Sequence, residues 1–240
     1  MNAIVTGAAS GIGAATVSRL REEGYRVAAL DLDAARLERV DAEVRLVADA
    51  SDVDAIANAV AEAVVALGGL DVAVACAGIA PTGTVIDTTP AVWDRIMAVN
   101  VRGVYALARA AMPHLAAKGD GAFVAVASQL GIVAAASSAA YCASKGAVIN
   151  LIRAMAIDHG PSGVRINCVC PGPTDTPLAR DYFAGQANPE ATLRAFEAMG
   201  AHGRLTRPDE IADAIAFLAS ARASSIHGAA LVVDAGFTIR

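Results

Sequence analysis

Apolar positions recur along this chain in two alternating patterns. Short unbroken apolar runs lie at 3–6, 26–31, 44–48, 71–75, 122–127, 164–169 and 230–234, and their length and β-branched content predict strands. Between them come longer stretches with apolar residues three and four apart. These predict helices over roughly 12–23, 52–67, 91–118, 140–159 and 208–220, the third with a break near Asn100–Gly103. Pro208 suits the first turn of the last helix, on which Ile211, Ile215 and Leu218 mark an apolar stripe. Strand–helix alternation predicts an α/β fold: a doubly wound parallel β-sheet with helices on both faces, in a single domain over 1–240. There is no internal repeat, low-complexity run or linker, and the one long irregular stretch is about 171–207.

Composition narrows the partners. A chain of 240 residues, 55% hydrophobic, is long enough to bury a sizeable core. A net charge of −5 gives no reason to expect nucleic acid or an anionic membrane surface. The uncharged stretch from Gly121 to Ser144 has the length of a membrane helix. It is interrupted by Ser128, Gln129, Gly131, Ser137 and Ser138, and reads as strand, loop and helix start. Met1 runs straight into Ala3-Ile4-Val5 without a basic leader, so the expected setting is cytoplasmic and reducing. Cys76, Cys142, Cys168 and Cys170 lack paired metal spacing, and the histidines are scattered, so no metal site is expected.

The residues with chemical potential are placed systematically. Gly7, Asp31, Asp49, Gly78, Ser128 and Pro171-Gly172 each lie at or just after the end of a predicted strand, the rim where open α/β sheets bind ligands. Thr6-Gly7-Ala8-Ala9-Ser10-Gly11-Ile12-Gly13 joins the first strand to the first helix. Its glycines let backbone N–H groups approach a pyrophosphate at a helix N-terminus, although the spacing is G-x-x-x-G-x-G rather than G-x-G-x-x-G. Asp31 can accept hydrogen bonds from both hydroxyls of a ribose and would repel a 2′-phosphate. Leu32 beside it supplies no cation, which favours NAD over NADP.

Tyr141 and Lys145 are four apart in a helical segment and so share one face. Two unit charges about 4 Å apart at an effective dielectric of ~20 interact by ~4 kcal/mol. At ~1.4 kcal/mol per unit, that could pull a phenol from ~10 towards ~7, where it trades protons with an alcohol at neutral pH.

Taken together, the glycine loop, Ser128 and Tyr141-x-x-x-Lys145 resemble the short-chain dehydrogenase/reductase family in its compact single-domain branch, a Rossmann-type fold. Asn100-Val101-Arg102-Gly103 resembles its N-x-x-G motif, Pro171-Gly172-Pro173-Thr174-Asp175-Thr176 its P-G-x-x-x-T stretch, and Asp234-Ala235-Gly236 its last strand ending. The resemblance implies Tyr141 as general acid/base, Ser128 on the substrate oxygen and Lys145 on the nicotinamide ribose. It implies Asn100 positioning a water on the proton path. Gly7, Ser10, Gly11, Ile12 and Gly13 would line the pyrophosphate, Asp31 and Leu32 the adenosine ribose, and Asp49 and Ala50 the adenine. Ala77 and Gly78 would lie along the cofactor, with Pro171, Gly172, Thr174 and Thr176 at the nicotinamide end. Each of several residues also has a plain alternative: Asp31, Asp49 and Ser128 as caps, Asn100 and Thr176 as structural hydrogen-bonders. One departure stands out. The family usually has Asn-Asn-Ala-Gly after its fourth strand, and this chain has Ala75-Cys76-Ala77-Gly78.

The activity so implied is NAD-dependent interconversion of a secondary alcohol and a ketone by hydride transfer. An NADPH-dependent ketoreductase is the nearest alternative, and a non-catalytic dinucleotide-binding protein a remote one. Gln129, Leu178, Tyr182, Phe183 and Phe196 are the candidate substrate contacts, the last four within an expected lid over 178–203. Asn188-Pro189-Glu190 reads as a helix start inside that segment. The family commonly assembles as a tetramer, so a homo-oligomer taking a small-molecule alcohol or ketone is the expectation.

Overall fold

In the computed structural model, which describes residues 1–239, the apolar runs form β1 (Asn2–Thr6), β2 (Arg26–Asp31), β3 (Val44–Val47), β4 (Val72–Ala75), β5 (Ala122–Val126), β6 (Arg165–Pro171) and β7 (Ala230–Val233). They make one parallel sheet in the order β3-β2-β1-β4-β5-β6-β7. The order turns back on either side of β1 and β4, so a crevice opens between them at the carboxyl rim.

The helices are α1 (Gly11–Glu22), α2 (Ala34–Leu37), α3 (Val53–Leu67), α4 (Pro90–Met97), α5 (Gly103–Lys118), α6 (Ala139–His159), α7 (Pro177–Ala184), α8 (Pro189–Met199) and α9 (Pro208–Ala219). Strand side chains alternate between two helix layers, as a period of two requires. Ile4, Ala28, Ala73, Phe123 and Cys168 face a core shared with α3, α5 and α6; Val5, Val27, Val74, Val124 and Val169 face a core shared with α1 and α9. Both faces are therefore dry, which explains why the strands carry no polar alternation.

Three local features refine the expectations. The helix expected over 91–118 is interrupted near Asn100–Gly103, as expected there, but by a π turn. It begins at Pro90, where the Thr89 hydroxyl accepts from Val92 N at 3.3 Å, and swells into a π turn over Ala98–Arg102 before continuing as α5. The stretch expected to be irregular holds two helices. Asn188 caps α8 by accepting from Ala191 N at 3.0 Å, as its sequence suggested. α7 was not foreseen: Thr176 caps it and Pro177 opens it. Finally, Asp33 nucleates the short α2, accepting from Arg36 N at 3.0 Å.

Candidate active site

The first strand delivers its chain into a turn that tolerates no side chain. Gly7 has φ +65°, and a Cβ there would stand 2.7 Å from Ala77 N; a Cβ on Gly13 would stand 1.9 Å from Gly7 O. β1, β4 and the first turn of α1 are thus held at backbone contact, with the N–H groups of that turn facing the crevice. Ser10 precedes α1 without spending its hydroxyl on a cap, and the first turn carries no acidic residue. Uncapped N–H groups, a Cβ-free approach and no opposing negative charge together fit a pyrophosphate.

Asp31 ends β2 beside this loop. One carboxylate oxygen accepts from Ala9 N at 2.9 Å and the other from Asp33 N at 3.0 Å, which fixes the group at the crevice mouth. Leu32 is exposed next to it, and Arg36, the next basic residue along the chain, is turned to Asp33 at 3.2 Å. At the end of β3, Asp49 accepts from the Ser51 amide and hydroxyl at 2.8 and 2.7 Å and from Arg95 at 3.3 Å. Burial pushes its pKa up, but the Ser51 donors and the Arg95 charge outweigh that and hold it below the usual carboxylate value. Asp52, not Asp49, caps α3.

Tyr141 and Lys145 stand one turn apart on α6, with the lysine Nζ 5.7 Å from the phenol ring centroid. Nζ donates to Val126 O at 2.8 Å. Lys145 is only 4% exposed, and burial lowers its pKa to about 8. Burial likewise raises the Tyr141 pKa, with the Ser128 hydroxyl beside it pulling the other way. The expected depression of the phenol by its lysine is therefore absent in the protein alone. Burial is the dominant influence on both groups.

Ser128 closes the triangle. Its Oγ accepts from Leu130 N at 3.1 Å, capping a short 3₁₀ turn over Gln129–Gly131, and donates to Gln129 Oε1 at 3.1 Å. Asn100 lies in the π turn, fully buried. Its Oδ1 accepts from Ile79 N at 2.8 Å, while Nδ2 donates to Ile79 O at 2.9 Å and Ser144 Oγ at 3.0 Å. The side chain thus pins the chain just beyond Ala77-Gly78. A Cβ on Gly78 would meet both Asn100 Oδ1 (3.4 Å) and Lys145 Nζ (3.5 Å), so these groups converge on one spot.

Gly7, Ser10, Gly11, Ile12, Gly13, Asp31, Leu32, Asp49, Ala77, Gly78, Ser128, Tyr141 and Lys145 line one cavity of about 520 Å³, whereas Asn100 lies outside its lining. Ala50, Pro171, Gly172, Thr174 and Thr176 line it too, as do Gln129, Leu178, Tyr182, Phe183 and Phe196 at the far end. Thr174 Oγ1 donates to Gly172 O at 2.8 Å, and Thr176 caps α7. Phe196 packs its ring against Tyr182 and Phe183, with centroids 5.5 and 5.1 Å away. Arg180 turns away to Asp175 at 2.7 Å, and Arg194 and Arg204 pair with Glu190 and Glu210.

Ala75 and Cys76, where asparagines were expected, are accommodated by apolar packing. Ala75 is in the core beside α5, and Cys76 packs against the opposite core, its thiol pushed up by burial to about 12. Sequence reasoning missed several wall residues: Ile79 to Thr82, Arg95, Leu130, Ala135 and Phe237. Only Phe237 had a usable signal. Asp234 accepts from Gly236 N and Thr238 N at 2.9 and 2.8 Å, turning the chain back so that Phe237 reaches the cleft.

Comparison with known proteins agrees with this geometry. Residues 7–238 match a family model described as Enoyl-(Acyl carrier protein) reductase. The chain is 43% identical over 245 residues to cis-4-hydroxycyclohexanecarboxylate dehydrogenase of Sinomonas cyclohexanicum, spanning 98% of this chain and 96% of that protein. It is 39% identical over 241 residues to meso-2,3-butanediol dehydrogenase of Serratia marcescens, with 98% and 93% covered. The ligand-free structure of Thermoplasma acidophilum aldohexose dehydrogenase superposes with a TM-score of 0.93 at 32% identity, over 100% of this chain and 94% of that one.

Proposed function

From the premise that this chain belongs to the short-chain dehydrogenase/reductase family, we propose that it interconverts a secondary alcohol and a ketone using NAD, with Tyr141 as the general acid/base. Several of its relatives are named as dehydrogenases of hydroxyl compounds, among them those named for a hydroxycyclohexanecarboxylate and for 2,3-butanediol. The observation that carries the finer reading is the convergence of Ser128, Tyr141, Lys145 and the glycine loop in one cleft.

A bound nicotinamide dinucleotide supplies the hydride acceptor or donor. The protein's part is to position and to move a proton. Ser128 Oγ receives Leu130 N–H and donates its own proton to Gln129 Oε1, so it would meet a substrate oxygen by turning that proton from Gln129 towards it. Tyr141 takes the carbinol proton in oxidation and returns it in reduction. Its phenol is neutral in the protein alone, so the proton acceptor forms only when positive charge is added nearby. Lys145 is placed to lend that charge once a partner such as a ribose hydroxyl offsets its desolvation. Asp31 is placed for two ribose hydroxyls, and no cation beside it would welcome a 2′-phosphate; this supports NAD.

The segment 178–203, carrying α7 and α8, is read as a lid over the substrate. Trp93 and Tyr105 are exposed on α4 and α5, which supports assembly into a homo-oligomer such as a tetramer. Four free cysteines suit a reducing, cytoplasmic setting, and no helix among the described residues is long and apolar enough to cross a membrane.

The test is Tyr141→Phe. Turnover of secondary alcohols should fall by about 10²–10⁴-fold while NADH binding, followed by fluorescence, is retained. A variant with near-native rates would refute the role, and a native enzyme more efficient with NADPH than NADH would refute the coenzyme assignment.

A further inference from the structure

The buried amide of Gln129 has no task in the reading above beyond lining the cleft. Its side chain is only 7% exposed. Its Oε1 accepts from Ser128 Oγ at 3.1 Å, yet its Nε2 has no hydrogen-bond partner among the described residues. The turn holds it firmly, for Gln129 O accepts from both Ile132 N and Val133 N at 2.9 Å. An amide donor held in place without a protein partner is free to bind a ligand acceptor. Here the open side is the cleft itself, immediately beside the hydroxyl that would hold the reacting oxygen.

Charge at this end is equally telling. Among the described residues lining the cleft, the charged ones are Asp31, Asp49, Arg95 and Lys145. The first three lie at the ends of β2 and β3 and on α4, and Arg95 is bound to Asp49 and Ser51. Around Ser128 the walls are Leu130, Ala135, Leu178, Tyr182, Phe183 and Phe196, none of which can balance an anion.

We propose that Gln129 selects an uncharged substrate with a second oxygen beside the reacting carbinol: a vicinal diol in oxidation, a 2-hydroxyketone in reduction. The geometry sets the spacing. Nε2 shares one planar carboxamide with the Oε1 that touches Ser128, so a ligand meeting Ser128 Oγ and Nε2 together needs its oxygens on adjacent or nearly adjacent carbons. This rests on the alcohol dehydrogenase reading, and the experiment separates the two.

Initial rates with NAD would be compared for 1,2-cyclohexanediol against cyclohexanol, and for 2,3-butanediol against 2-butanol and 3-hydroxybutyrate. The native protein should favour each diol over its mono-alcohol by about tenfold or more in kcat/KM. Gln129→Met should bring that ratio towards one, and Gln129→Asn should restore part of it, with NADH binding reporting that each variant is folded. Equal use of diols and mono-alcohols by the native protein would overturn the assignment and leave the dehydrogenase reading standing. Preference for the hydroxycarboxylate, or an equal loss on both substrates of a pair in Gln129→Met, would also overturn it. No turnover of any of them with NAD or NADP would overturn both.

Discussion

The two ends of the cleft are built differently. The nucleotide end is made of backbone: Gly7 and Gly78 follow the ends of β1 and β4, Gly13 lies in the first turn of α1, and added Cβ atoms at all three would collide with or crowd neighbouring groups. The substrate end is made of side chains on short helices, α7 and α8, with Tyr182, Phe183 and Phe196 packed on one another rather than on the sheet. The first end inherits its precision from the parallel strands and cannot vary without moving them. The second can exchange its side chains and leave the sheet unmoved, so ligand specificity should reside there.

The contrast is broken most severely by Gly13→Ala. Its Cβ would stand 1.9 Å from Gly7 O, so either α1 or the loop must shift. Coenzyme affinity should fall by about 100-fold or more, together with a loss of about 2–3 kcal/mol in chemical denaturation.

Lys145, at the boundary between the ends, offers a subtler probe through pH. Burial depresses its pKa from 10.5 to about 8, so below about pH 8 the fold carries a desolvated ammonium. Between about 8 and 10.5 the unfolded chain binds more protons than the folded one, and stability rises with pH across that window. Lys145→Met should therefore be the more stable protein at pH 7 without coenzyme, by about 1–3 kcal/mol, while losing activity. The gap should close as pH approaches 10, read from urea midpoints at pH 7 and 9.5. A gap that did not vary with pH would show that the lysine is not desolvated.

Phe196→Ala should be the mildest change. It removes one wall of the aromatic trio, so substrate KM should rise about 5–10-fold while coenzyme affinity stays within about twofold. Comparable losses in both would mean that the ends are not independent.

The same division explains what was legible in the sequence. The strands, the glycine turn, Asp31, Ser128 and the Tyr141–Lys145 pair follow local patterns whose geometry the backbone dictates. Ile79 to Thr82 carry no such pattern; their position depends on Asn100, twenty-one residues beyond Ile79, and on Ser137 O, which accepts from Gly83 N at 2.8 Å. α7 was hidden because its helical turn rests on the Thr176 cap and Pro177 rather than on a long apolar stripe. The phenol's raised pKa was also out of reach: spacing reveals that a cation is near, and only burial tells whether water still solvates it.

The swelling at Ala98–Arg102 carries a last consequence. A π turn holds one residue more than an α turn, so it acts as a shim between two helices that each need their own rotational setting. α5 must present its apolar side to β4 and β5, while Asn100 must look at Ile79. Removing one residue would let the helix run true, but then only one of those demands could be met. The reach of the loop beyond Gly78 is, in effect, counted out by helix length.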